Sequence, residues 1–149
     1  MTSRRGVVRI AVLAVLLSAG GYGVLRWRAR DPVTAALRGD ARAVAEVRAP
    51  HGVRVRVQVV NTTKTRGLAR RATLYLRDRG FDVVEVGSAG PPRDETLVLD
   101  RSGQPDWARL VAASLGGAAV ESRPDSSRYL DVTVLLGSSW RPPAEPFYP

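Results

Sequence analysis

The residues best suited to ligand chemistry form a loop at positions 61–67, with the sequence NTTKTRG. The loop combines an amide, three hydroxyls and two cations, and it directly precedes a predicted helix. The first N–H groups of a helix have no partner within it and carry partial positive charge, so they bind anions. We therefore expect a phosphate-bearing polymer or a lipid headgroup as the ligand. The candidate binding residues are Asn61, Thr62, Thr63, Lys64, Arg66, Gly67, Arg70 and Arg71.

The loop does not match a nucleotide-binding P-loop, because it lacks the paired glycines and the Gly-Lys-Ser/Thr order of that motif. The alternative interpretation is a well-capped turn with solvated charges, in which Thr65 caps the helix.

Further arginines are expected on the outer faces of the helix and of the strand before the loop. The helix carries Arg66, Arg70, Arg71 and Arg77, and the strand carries Arg54 and Arg56. Few acidic residues lie nearby in the sequence. The pattern indicates either a basic patch for an anionic polymer or membrane surface, or simply a solvated face.

Catalytic and metal-binding constellations are weak in this sequence. Asp94 and Glu95 are adjacent, so their side chains point to opposite faces of a strand, and Asp100 has no convergent partner. The single histidine, His51, lies at a domain edge, and there is no cysteine. Because acid–base and metal chemistry need converging groups, we predict no catalytic residue, no metal, no cofactor and no enzyme activity.

The elements that must position the loop form a β-α-β unit between Val53 and Val84. Valines at every second position from Val53 to Val59 predict a half-buried strand. A helix follows and ends at Gly80, and a second strand covers Asp82–Val86. The helix places Leu68, Ala69, Ala72, Tyr75 and Leu76 on one face.

The rest of the domain adds strands at Glu95–Asp100, Ala118–Glu121 and Leu130–Leu136, and a helix that begins near Pro105. The apolar stripe of that helix is Trp107, Leu110, Val111, Ser114 and Leu115. We predict an α/β (α+β) two-layer sandwich, β-α-β-β-α-(β)-β. It has a four- or five-stranded mixed sheet with two helices on one face.

Residues 1–30 have the pattern of an N-terminal membrane anchor. Arginines flank an uncharged run at Ile10–Leu25, and a transmembrane helix over about residues 7–25 spans a bilayer if Arg9 snorkels. A cleaved signal peptide is the alternative. The segment holds six of the 23 basic residues and no acid, which leaves 17 basic against 14 acidic residues elsewhere. The formal charge of +9 therefore indicates topology rather than DNA binding.

Four regions follow from these patterns. They are an anchor at 1–30, a juxtamembrane linker or stalk at 31–52, an α/β domain at 53–137 and a Pro-rich tail at 138–149.

The domain resembles the LytR C-terminal domain family. The resemblance is carried by VRVQVVN at 55–61, by Gly67-Leu68-Ala69, by RGFDVV at 79–84 and by DVTVLLG at 131–137. At two loop positions where the family usually carries glycine, this chain has Thr62 and Lys64. The resemblance implies a small non-catalytic accessory domain of bacterial envelope proteins, which is fused to wall-polymer ligases or stands alone behind a membrane anchor.

We accordingly expect a single-pass protein of the cytoplasmic membrane with an extracytoplasmic domain, or a secreted protein if the signal is cleaved. Its expected partners are anionic cell-wall glycopolymer, peptidoglycan or an envelope protein. An enzyme acting on phosphate-linked wall precursors and a nucleic-acid-binding regulator are the alternatives.

Overall fold

Residues 31–126 and 129–141 are described by the computed structural model, and they build one five-stranded sheet with helices against it. The predicted anchor at 1–30 and tail residues 142–149 lie outside the described residues. The helices are α1 (Pro32–Leu37), α2 (Ala41–Glu46), α3 (Leu68–Asp78) and α4 (Pro105–Ser114). The strands are β1 (Arg56–Asn61), β2 (Asp82–Ser88), β3 (Leu97–Asp100), β4 (Ala119–Ser122) and β5 (Val132–Leu136).

The strand order in the sheet is β2-β1-β5-β3-β4. Strand β1 runs parallel to both β2 and β5, β3 runs antiparallel to β5, and β4 runs parallel to β3. The helices α3 and α4 are the crossovers of two of the three parallel pairs, β1-α3-β2 and β3-α4-β4. The predicted mixed sheet is thus confirmed, with five strands.

Both crossover helices pack on the same face of the sheet and share one core. Val57, Val59, Val132 and Val134 point from the central strands toward them, and all four are fully buried. The hydroxyl of Tyr75 on α3 donates a hydrogen bond to the carbonyl of Ser114 at the end of α4, at 2.8 Å. The buried face of α3 is the predicted one: Leu68, Ala69, Ala72, Tyr75 and Leu76.

The buried face of α4 differs in part from the predicted stripe. Trp107 and Leu110 are only partly buried at the edge of the core, whereas Ala108 and Ala112 are fully buried. Alanine has no side chain beyond Cβ, so a helix that turns alanines toward the sheet approaches it closely. The large side chains then fit only along the flank.

Helices α1 and α2 pack against α4, so the segment predicted as a linker or stalk is part of the packed body. Ala36, Val44 and Val47 form a small apolar cluster with Ala113. Asp31 and Asp40 cap the two helices by accepting hydrogen bonds from first-turn amides.

The packed body also continues beyond Gly137. Trp140, which the sequence places in the Pro-rich tail, is 6 % exposed and belongs to the main core. Its ring meets Tyr75 edge to face, with 6.1 Å between the ring centroids and 71° between the planes.

Strand β2 forms one edge of the sheet and contains an irregularity. The register with β1 shifts between Val57 and Gln58, so that Val57 opposes Val83 and Gln58 opposes Glu85. The guanidinium of Arg77 on α3 donates to the carbonyl of Val83 at 2.7 Å.

In the part of the chain that the structure describes, no helix has the length and apolarity needed to cross a membrane.

Candidate functional site

The loop at 62–67 lies where β1 ends and α3 begins, beside the end of β5. From β1 the chain turns toward β2. From β5 it turns the other way, since the amide of Ser138 donates to the carbonyl of Arg93 in the segment before β3. The predicted loop thus lies at the carboxyl ends of the parallel strands β1 and β5, the end of an open α/β sheet at which ligands bind.

Asn61 organises the loop from beneath and is itself 8 % exposed. Its side-chain amide donates to the carbonyl of Thr65 at 2.9 Å. Its Oδ1 accepts from the amide of Thr63 at 3.0 Å and from the hydroxyl of Thr63 at 2.8 Å. Both polar atoms of this side chain therefore form hydrogen bonds inside the loop, and Asn61 shapes the loop.

Thr62 and Thr63 also serve the loop. The Thr62 hydroxyl donates to the carbonyl of Leu136 at 2.7 Å, which ties the loop to the end of β5. The Thr63 hydroxyl accepts from the amide of Thr65 at 3.0 Å. Three of the eight predicted binding residues are thus engaged in holding the loop in shape.

Gly67 directly precedes α3 as its N-cap residue and lies in the left-handed region, with φ of +76°, where glycine is favoured. The predicted cap by Thr65 is wrong, because the N-cap residue is Gly67, which makes no side-chain hydrogen bond to the helix. The helix begins at Leu68, so Thr65 lies two residues before the capping position. The first-turn amides of α3 consequently keep their partial positive charge.

Four cations surround this uncapped helix start. Within residues 31–126 and 129–141 none of the four forms an ion pair, and each is exposed or at most half-buried. They are Lys64, Arg66, Arg70 and Arg71. We refer to these four residues as the cationic cluster.

The other arginines of the expected basic patch are engaged elsewhere. Arg54 pairs with Asp82, and Arg56 pairs with Asp131. Arg77 lies against the carbonyl of Val83. The expectation of few neighbouring acids is therefore wrong for the strand face, because the sheet brings Asp82 and Asp131 to it from distant parts of the sequence.

The Arg56–Asp131 pair is the most elaborate of these contacts. Both Nε and Nη2 of Arg56 donate to the two oxygens of Asp131 at 3.0 Å, and the amide of Arg56 adds a third bond at 2.8 Å. Burial alone would raise the pKa of Asp131, but the hydrogen bonds from Arg56 outweigh it and lower the pKa below its usual value. The hydrogen bond to Asp131 raises the pKa of Arg56.

The carboxylates considered for acid–base chemistry do not converge. Oδ1 of Asp100 accepts from the amides of Ser102, Gly103 and Gln104 and so shapes the turn before α4. Asp94 accepts from the hydroxyl of Ser138. Among the described residues, no group of three or more His, Cys, Asp or Glu could hold a metal ion.

The family model described as "LytR cell envelope-related transcriptional attenuator" matches residues 54–140, a range that includes the loop, both crossover helices and Trp140. A solved structure, the solution structure of the C-terminal domain of RV0431, is 32 % identical, with a TM-score of 0.40. The match covers 60 % of this chain and 76 % of that one. No curated protein matches the chain.

Proposed function

The chain belongs to the LytR C-terminal domain family, a family of cell-envelope-associated accessory domains, and on that premise we propose that it is a non-catalytic binding module of the bacterial envelope. In this proposal residues 1–30 hold the protein in the cytoplasmic membrane, and the α/β domain lies on the extracytoplasmic side. The domain binds anionic wall glycopolymer through the cationic cluster.

The observation that carries the proposal is the concentration of unpaired cations at one uncapped helix start. Lys64 and Arg66 lie in the loop, and Arg70 and Arg71 follow in the first turn of α3. Partial charges of the helix amides add to the same field. A polymer that repeats a phosphate at regular intervals can engage several of these groups at once, and such contacts gain from being linked.

The buried polar residues beneath the loop support a binding role in a second way. Asn61 and Thr62 fix the loop to its own backbone and to the end of β5. A loop that is already ordered loses little conformational entropy on binding, so weak charged contacts are more effective.

The polymer-binding part of the proposal is tested by co-sedimentation of the full-length protein with purified cell walls that retain their anionic polymer. We expect retention that falls as salt is raised, because exposed charges are screened. A double variant, R70A/R71A, removes two charges of the cationic cluster. The control R38A/R42A removes the same number from exposed sites, Arg38 directly after α1 and Arg42 on α2. We expect R70A/R71A to lose retention and R38A/R42A to keep it. Equal retention by both variants would contradict the assignment of the site.

The location is tested with reporters that are active on only one side of the membrane. Because Trp140 is part of the core, the reporter must follow Pro149 and not Gly137. Activity of the extracytoplasmic reporter alone, with the protein in the membrane fraction, is the expected result. Activity of the cytoplasmic reporter alone would remove the wall polymer as the ligand.

A further inference from the structure

A cleft of about 460 Å³ opens at the carboxyl end of α4, beside the start of β3. The turn that Asp100 shapes lies at the other end of β3. Its volume lies within the range of small-molecule sites. Two chain segments form its walls: the turn after α4, at Leu115–Ala119, and the residues that follow β5, at Ser139–Arg141. Glu95 and Thr96, just before β3, complete the lining.

The cleft carries one charge of each sign. Glu95 and Arg141 both line it and are both exposed, and neither forms an ion pair with a described residue. One nitrogen of Arg141, Nη1, donates to the carbonyls of Ser138 and Trp140 at 2.6 and 3.0 Å. This contact holds the guanidinium over its own loop and leaves Nε and Nη2 for another partner. Opposite charges that share a cleft without pairing fit a ligand that itself carries both charges.

The floor of the cleft favours an ammonium group. Helix α4 ends here, and the carboxyl end of a helix carries partial negative charge that stabilises cations. The amides of Gly116, Gly117 and Ala118 turn back to carbonyls of α4, so the turn presents no free N–H of these residues to an anion. Trp140 also lines the cleft, so its indole reports on what binds there.

We propose that this cleft binds a small zwitterion, with its ammonium group between Glu95 and the end of α4 and its acidic group at Arg141. This chemistry is shared by free amino acids and by phosphoethanolamine. The site is separate from the cationic cluster and does not depend on polymer binding there.

The test is a titration of the ¹⁵N-labelled full-length protein with four probes at constant ionic strength: alanine, phosphoethanolamine, ethylamine and acetate. We expect saturable shifts of the Gly116 and Gly117 amides and of the Trp140 indole N–H with a zwitterion. Ethylamine and acetate should bind at least about tenfold more weakly, because each lacks one charge-assisted hydrogen bond. The stronger of the two zwitterions identifies the source of the ligand.

Two conservative variants separate the charges, and both change exposed side chains outside the core. Urea denaturation of each variant checks that the fold is retained. E95Q and R141Q should each weaken zwitterion binding by about tenfold or more. The matched controls are E85Q on the exposed edge strand β2 and R42Q on α2, which should bind as the unchanged protein does. Three results would each overturn the proposal. They are no saturable shift with either zwitterion, equal affinity for acetate or ethylamine, and E95Q and R141Q binding like their controls.

Discussion

Gly117, in the turn after α4, lies so close to the carbonyl oxygen of Leu37 that a Cβ on Gly117 would clash with this oxygen. Leu37 is the last residue of α1, and the glycine has a φ of +92°. The contact therefore depends on the absence of a side chain. It joins the segment at 31–52 to the same turn that forms one wall of the cleft.

Replacement of Gly117 by alanine is expected to displace α1 and α2 from α4. The added Cβ would meet backbone atoms of Leu37, which cannot move aside as a flexible side chain can. Because this overpacking adds to the strain of a positive φ, we expect the free energy of unfolding to fall by about 2–4 kcal/mol. Urea denaturation measures the loss, and hydrogen exchange should show faster exchange at residues 31–49. Gly116→Ala is the control, because Gly116 has a φ of +91° but no atom within 4 Å of its Cβ position. Equal effects of the two variants would show that only backbone strain is involved.

Replacement of Asp131 by asparagine is expected to destabilise the protein at neutral pH and to have little effect in acid. The carboxylate of Asp131 has a lowered pKa in the folded state, so its contribution is present above the ordinary carboxyl pKa and is lost as pH falls through the folded value. We expect a loss of about 1–3 kcal/mol at pH 7, since Arg56 is partly exposed and its charge is screened.

The measurement for Asp131 is urea denaturation of both proteins from neutral to strongly acidic pH. The gap between them should narrow once the pH is below about 4. Asp106→Asn is the control, because Asp106 pairs with Arg109 on a fully solvated helix face and its loss should change stability little. A gap that is the same at every pH would contradict a role for the ionised carboxylate.

Replacement of Asn61 by alanine is expected to disorder the loop without removing any charge. Three hydrogen bonds disappear, so we expect a stability loss of about 1–3 kcal/mol and weaker retention on cell walls. Denaturation and co-sedimentation are the two measurements. Thr65→Ala is the control, since the Thr65 backbone is used by the loop. If N61A kept full retention, the order of the loop would not matter for binding.

Replacement of Trp140 by alanine is expected to lower the free energy of unfolding by about 3–5 kcal/mol, as for other large core side chains. Shortening the chain to end at Gly137 should have a similar effect, and ending it at Arg141 should have little. Thermal and urea denaturation distinguish the three. A chain ending at Gly137 that is as stable as one ending at Arg141 would contradict the place of Trp140 in the core.

The β-α-β unit was predictable because its signals are local. Alternating valines in β1 and the apolar face of α3 read directly as a strand and a helix, and Gly80 marks the end of the helix. The packing of α1 and α2 against α4 could not be predicted from the sequence. Their apolar faces are thin, and they gain burial only because the fold brings Ala113 and Gly117 to them.

The position of the loop was predictable to the same degree, because sequence order alone places the loop and its cations directly before α3. Its role as a binding site stays a prediction. The pairing of Arg56 with Asp131 could not be predicted from the sequence, since these residues are 75 positions apart and only the β1–β5 register brings them together. The zwitterion cleft likewise joins three separated segments, and no local pattern marks it.

Strand β2 leaves one edge of the sheet open, and an open edge is a template on which further chains can add. In this protein the Val83 carbonyl near the start of β2 already accepts a hydrogen bond from Arg77, and the register of β2 against β1 shifts beside it. Such an irregularity disrupts the regular pairing of a strand. Arg77, which the sequence analysis placed in the basic patch, thus serves the edge strand of the sheet instead.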